Sequence, residues 1–272
     1  MTHLDTDLGE LALHAARAGA AAIRAALRDG ALDVGRKSAH NDLVTNADRA
    51  AERAVVAAIR EHRPQDTILG EESGEHPGEH QGGVPDAGPD GARIRWLVDP
   101  VDGTTNFVHR RWDYAVSVAA ERGGRSVAGA ILRPAYQDWV LAGGGAARGS
   151  AGVPAVAGTE RTTDALVSVG FPHRPELRPR VLHLLERLGP HIRDFRRIGS
   201  ACCDLLSVAT GVLDAYIGVE QAPWDVAAGA AIVPAAGGRC GVLRTGRGMS
   251  VFLAGTPAVY AGLERLLAAD PS

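Results

Sequence analysis

The residues with the clearest capacity for chemistry are Asp99-Pro100-Val101-Asp102-Gly103-Thr104-Thr105-Asn106-Phe107. Two aspartates follow Ile94–Val98, an apolar run that reads as a buried strand, so both acids sit where a strand ends. Pro100 fixes φ between them and removes one N–H. Gly103 permits a sharp turn, and Thr104, Thr105 and Asn106 bring backbone N–H groups and hydroxyls. Such a loop can hold a hard cation on one side and a phosphate on the other. Carboxylates suit Mg²⁺, and the Val101 carbonyl between them is a further oxygen. Taken alone, the same residues also make an ordinary turn.

Two other segments place acids in similar positions. Gly70-Glu71-Glu72-Ser73 ends the short apolar run Ile68-Leu69; by itself it reads as a solvated loop. Pro223-Trp224-Asp225 precedes the Ala-rich stretch Val226–Ala236, where Asp225 by itself reads as a helix N-cap. All three segments put acids where strands end or helices begin.

With Asp42-Leu43-Val44-Thr45-Asn46-Ala47-Asp48 after Lys37, and Ala235-Ala236-Gly237-Gly238 after Asp225, these pieces form an ordered set. In that order the chain, over about residues 8–265, resembles the inositol monophosphatase family of Mg²⁺-dependent, lithium-sensitive phosphomonoesterases. The resemblance implies a layered αβαβα sandwich of the inositol monophosphatase/fructose-1,6-bisphosphatase type, usually a homodimer. It also implies roles. Glu71, Asp99 and the Val101 carbonyl would hold one Mg²⁺; Asp99, Asp102 and Asp225 a second; Glu71 with water a weaker third. Gly103 and Thr104 would offer N–H groups to phosphate, and Asp48 with Thr104 would help activate the attacking water, with Glu71 beside them. Four carboxylates in one pocket demand such cations. Each like pair at ~4 Å costs about 4 kcal/mol at an effective dielectric near 20.

Weaker expectations attach to other residues. Lys37, the single lysine among 29 basic residues, would lie near the acids, with Glu72 orienting it or a water. For substrate contacts, the resemblance places Ala201 on the pocket wall. Gly218 stands where animal members carry an inositol-binding glutamate, and Glu220 is the nearest acid. The expected reaction is hydrolysis of inositol-1-phosphate or a similar small polyol phosphate. The alternatives are a superfamily branch acting on histidinol phosphate, fructose-1,6-bisphosphate or adenosine-3′,5′-bisphosphate, and a non-catalytic metal-binding regulator. A nucleophilic-aspartate phosphatase is disfavoured by the D-x-x-D spacing.

The elements that must carry these residues fall into two halves. In 1–143, helices at 8–28 and 46–62 precede a strand at 94–98 and a meander at 113–121, 126–133 and 137–142, an α+β pattern. Residues 74–92 read as an exposed loop and 143–152 as a hairpin turn. In 144–272, strands at 166–169, 194–198, 214–218, 240–243 and 251–254 alternate with helices at 176–188, 200–210, 224–236 and 257–268, an α/β pattern. The two halves are expected to pack as one unit.

Composition bounds the rest. The 272 residues are 45% hydrophobic and 22% charged, enough to bury a core. A net charge of −3 gives no basic footprint for nucleic acid. No stretch supplies the ~20 apolar residues of a membrane span. Cys202, Cys203 and Cys240, odd in number with two adjacent, are no disulfide framework and fit a reducing cytoplasm. The expected partner is a small phosphate ester, with no nucleic acid or membrane.

Overall fold

Periodicity decides which face each element buries. In the computed structural model, which describes residues 3–30, 32–36, 43–78, 93–246 and 248–269, α1 (His3–Arg28) and α2 (Asn46–His62) flank a short antiparallel pair, β1 (Val34–Arg36) and β2 (Leu43–Thr45). The Thr45 hydroxyl caps α2 by accepting the N–H groups of Ala47 and Asp48. Such a cap contributes about 1 kcal/mol.

Seven strands follow as one sheet: β3 (Thr67–Gly70), β4 (Gly74–His76), β5 (Ile94–Asp102), β6 (Ala115–Arg122), β7 (Arg125–Arg133), β8 (Asp138–Gly143) and β9 (Ala146–Gly149). Their order is β4-β3-β5-β6-β7-β8-β9, with β3 parallel to β5 and the other neighbours antiparallel. The five-residue helix α3 (Thr104–Val108) leaves the end of β5. The second sheet comprises β10 (Leu166–Gly170), β11 (Asp194–Arg196), β12 (Ala215–Val219), β13 (Arg239–Arg244) and β14 (Ser250–Gly255), ordered β11-β10-β12-β14-β13. Both β11 and β12 run parallel to β10. The helices α4 (Arg178–Leu188), α5 (Ala201–Ala209), α6 (Pro223–Ala235) and α7 (Pro257–Ala268) alternate with these strands.

Side chains of successive strand residues point to opposite faces, and that alternation builds the layers. Trp96 and Val98 pack with Ile23, Val55 and Ile59 beneath α1 and α2. Leu97, from the same strand, faces Leu205, Ile232 and Tyr216 in a middle layer formed by α5 and α6. Ile217, next to Tyr216, faces Leu184, Leu188 and Leu263 of α4 and α7. The result is an αβαβα sandwich. Burying each such leucine or isoleucine contributes roughly 1.5–3 kcal/mol.

Several expectations change in detail. The segment 143–152 is not only a turn: β9 extends the first sheet to Gly149, past the boundary expected at 143. Residues 74–76 form β4 rather than loop, and 79–92 lie outside the described residues. The helix expected over 176–188 opens as a 3-10 turn at Pro175–Leu177, with α4 proper starting at Arg178. The first helix starts at His3, five residues before 8. Among the described residues no helix is long and apolar enough to cross a membrane.

Candidate active site

The end of β5 delivers Asp99, Val101 and Asp102 to a pocket of about 200 Å³ between the two sheets. The ladder between β5 and β6 is broken between Asp99 and Asp102, where Pro100 can supply no N–H. Gly103 then turns the chain at φ +90, and an added Cβ would lie 2.9 Å from the Asp113 carbonyl oxygen. Both facts require glycine. Glu71, just after β3, Thr104 of α3, Ala201 of α5 and Asp225 of α6 also line this pocket.

Glu71 is positioned by a residue that the motif did not reveal. Glu52, 3% exposed on α2, accepts the N–H of Glu72 at 2.8 Å and of Ser73 at 2.9 Å, and also the Ser73 hydroxyl. It holds the turn that carries Glu71. An added Cβ on Gly70 would sit 2.5 Å from the Glu52 carboxylate, so the close approach excludes a side chain there. The Glu71 N–H donates to the Val98 carbonyl at 3.1 Å, tying this turn to the strand before Asp99.

The acids are individually held. Asp99 Oδ1 accepts the Val101 N–H at 3.1 Å. Asp102 Oδ2 accepts the Ser200 hydroxyl and the Cys202 N–H, each at 2.6 Å. Asp225 is not the N-cap of α6. It is the third helical residue, and its Oδ2 accepts the N–H of the capping Ala222 at 2.9 Å. With these local bonds the acids share a pocket without forming a tight cage: among the described residues, no three His, Cys, Asp or Glu groups converge as a metal cluster.

Their electrostatics nevertheless describe one site. Burial, then the charges of Glu71, Asp102 and Asp225, pushes the Asp99 carboxyl well above the usual carboxylate range. Burial likewise raises Asp102, against the hydrogen bonds from Ser200 and Cys202. Hard oxygen donors that raise one another's pKa are suited to a hard divalent cation, which favours their charged forms. The donor set therefore fits Mg²⁺.

Beside the acids lies a hydroxyl relay. Thr104 Oγ1 is 3.0 Å from Asp48 Oδ1 and 3.0 Å from the Val101 carbonyl oxygen. Asp48 Oδ2 accepts the Thr45 N–H at 3.0 Å and the Thr45 hydroxyl. Burial raises the Asp48 carboxyl, and the hydrogen bonds from Thr45 and Thr104 oppose the rise. A threonine hydroxyl has one proton, so donation to Asp48 leaves its lone pairs free to accept from a water in the pocket.

Other expectations part from the structure. Glu220 is not on the pocket wall. Its chain turns at φ +50, and its carboxylate accepts the Ser250 N–H at 2.9 Å and pairs with Arg174 at 3.3 Å. The Glu72 N–H donates to Glu52 at 2.8 Å. Lys37 and Asp42 lie outside the described residues. Sequence reasoning also missed Ser200, Glu52 and Asp204. Asp204 lines the pocket, is 1% exposed, and neither of its oxygens has a hydrogen-bond partner. Burial pushes its carboxyl up to about 8.

A family model described as the inositol monophosphatase family matches residues 5–269. The chain is 37% identical over 261 residues to an inositol-1-monophosphatase of Mycobacterium bovis, covering 91% of this chain and 86% of that one. It is 36% identical over 200 residues to the Nus factor SuhB of Salmonella typhimurium, covering 73% and 71%. The crystal structure of the extragenic suppressor protein suhB from Bartonella henselae superimposes with a TM-score of 0.82 at 31% identity, covering 97% of this chain and 99% of that one.

Proposed function

This chain belongs to the inositol monophosphatase family, and from that premise we propose that it is a Mg²⁺-dependent phosphomonoesterase acting on inositol-1-phosphate or a similar small polyol phosphate. The observation that carries the reading is the acid set: Glu71, Asp99, Asp102 and Asp225 line one pocket, and three of them raise the pKa of the fourth. Glu71, Asp99, the Val101 carbonyl, Asp102 and Asp225 would hold the metal. Bound there, Mg²⁺ supplies positive charge to the phosphate and the leaving oxygen and lowers the pKa of a coordinated water.

The chain's own residues do the rest. Thr104 accepts a proton from the attacking water while donating its own hydroxyl proton toward Asp48. The raised basicity of Asp48 favours that direction of transfer. The backbone at Gly103 and Thr104, at the start of α3, turns N–H groups toward phosphate oxygens. Asp48 is itself held by Thr45, so the relay needs no rearrangement at the moment of reaction. Water attack by this route gives inorganic phosphate and the free alcohol with no covalent enzyme intermediate.

The test is phosphate release with and without Mg²⁺ from inositol-1-phosphate, histidinol phosphate, fructose-1,6-bisphosphate and adenosine-3′,5′-bisphosphate. Turnover of the polyol ester that disappears in EDTA is the expected result. Divalent-cation binding with no turnover of any ester would sink the reading and favour a non-catalytic metal-binding protein.

A further inference from the structure

Behind α3 lies a second cavity, of about 820 Å³, that shares no lining residue with the acid pocket. Thr104, Thr105 and Asn106 of that helix line the acid pocket, whereas Phe107 and Val108 line the second cavity. Its other walls come from the end of α1, the start of β1 and the connection from α3 to β6. Leu27, Leu32, Val34, Phe107, Val108 and Trp112 make them apolar. Trp112 is 65% exposed, and Leu27 and Val34 are exposed beside it. The Tyr136 ring, also exposed, meets Trp112 edge-on at 6.1 Å. A cluster of large apolar side chains left in water marks a binding surface, and this volume and lining match cavities that hold small organic ligands.

The polar side chains of this cavity are donors and cations. Arg110 and Arg111 line it, and no Asp or Glu does. Arg111 pairs with Asp113 at 3.0 Å, but the Arg110 side chain has no hydrogen bond or ion pair among the described residues. Arg110 also sits at φ +57, a left-handed conformation that costs a residue with a Cβ roughly 1–2 kcal/mol. Tyr114 is the other donor on the wall. It is 7% exposed, and its ring packs edge-on against Phe107 at 5.0 Å. Its hydroxyl has no hydrogen-bond partner among the described residues, although buried phenols ordinarily find one. The charge that reaches this phenol is also a cation: burial pushes it up, and Arg24 opposes the rise. Donors and cations without acceptors, set in an apolar cavity, suit an anion with an apolar body.

The geometry points to a ligand site here for an amphipathic anion, a carboxylate or sulfonate on an alkyl or aromatic body. Arg110 and the Tyr114 hydroxyl take its head, and Leu27, Val34, Phe107 and Trp112 surround its body. A guanidinium matches a carboxylate through charge-assisted, bidentate hydrogen bonds. The indole of Trp112 supplies a large apolar contact. A second copy of the chain meets this face less well. A two-fold contact sets one patch against itself, so it brings the same two arginines and no acid from the cavity wall.

The experiment titrates decanoate, at neutral pH and below its micellar range, into the full chain, followed by calorimetry and tryptophan emission. The expected result is one saturating site, with an emission change that Trp112→Phe removes. Decanol, the neutral counterpart, binds about tenfold more weakly. Arg110→Ala weakens decanoate about tenfold and leaves decanol unchanged. Arg110 is exposed, so this variant keeps the fold. Tyr114→Phe, which keeps the ring on Phe107, weakens decanoate about threefold. Arg125→Ala, on the wall of the separate groove beside α6, changes neither affinity. Absence of a saturating site overturns the inference, as does decanol bound as tightly as decanoate. An emission change that survives Trp112→Phe, or equal losses from Arg110→Ala and Arg125→Ala, overturns it too. So does sedimentation in which Trp112→Asp turns a dimer into a monomer, because a second copy then covers the cavity.

Discussion

Asp204→Asn tests the electrostatics of the pocket floor without touching a proposed metal ligand. Asp204 is 1% exposed, with neither oxygen hydrogen-bonded, and burial moves its carboxyl from 3.8 to about 8. The unfolded chain ionises this group near the lower value, and the folded chain resists until the upper one. The stability that this one group contributes is therefore greatest below about pH 4 and is lost as pH rises toward about 8, where the folded group also ionises. At about 1.36 kcal/mol per pKa unit, the loss between about pH 5 and pH 8 is roughly 3–4 kcal/mol. That is a ceiling, because a relaxing interior that admits water screens the charge. Asparagine keeps the shape and cannot ionise. The variant should match the wild type near pH 5 to within about 2 kcal/mol and exceed it by a margin that grows to pH 8 and then levels off. Urea unfolding in EDTA at half-unit pH intervals measures this margin. A difference that is flat with pH, or a wild type more stable at pH 8, would refute the claim that the fold carries an unpartnered carboxyl here.

Three further outcomes follow from the site. Asp102→Asn keeps an acceptor for Ser200 and Cys202, so circular dichroism should be unchanged, while phosphate release falls at least about a hundredfold and calorimetric Mg²⁺ affinity drops; near-normal Mg²⁺ affinity would remove Asp102 from the ligand set. Thr104→Val deletes the hydroxyl between Asp48 and Val101 and should lower kcat by about 10²–10⁴-fold with KM little changed; an effect confined to KM would show that the hydroxyl only binds. Glu52→Ala strands the N–H groups of Glu72 and Ser73, costing about 1–3 kcal/mol in urea unfolding, and loosens the turn bearing Glu71; unaltered Mg²⁺ affinity would show that the turn holds itself.

What could be read from the sequence depended on whether a residue's neighbours are close in the chain. Asp99, Asp102 and Gly103 lie within five positions, and strand end, proline and glycine together dictate a turn that presents both acids. Asp48 and Glu52 share the buried side of α2 with Ala51, Val55 and Ile59. Helical spacing could have raised the question of why two acids, four residues apart, border an apolar stripe. What Glu52 does there could not be read, because its partners lie about twenty residues on. Glu220 shows the converse limit. It is two residues from Gly218, and counting placed it near the substrate, but its positive φ sends the chain toward Ser250 and Arg174. A dihedral sign is invisible to spacing for any residue other than glycine, asparagine or aspartate. The pairing pattern of the arginines was equally hidden. Arg196 and Arg197 are adjacent, yet one pairs with Asp194 and the other lies over Phe171. Neighbours along a chain end can face opposite environments, and such choices are set by tertiary contacts, whereas the turn that presents Asp99 and Asp102 is local.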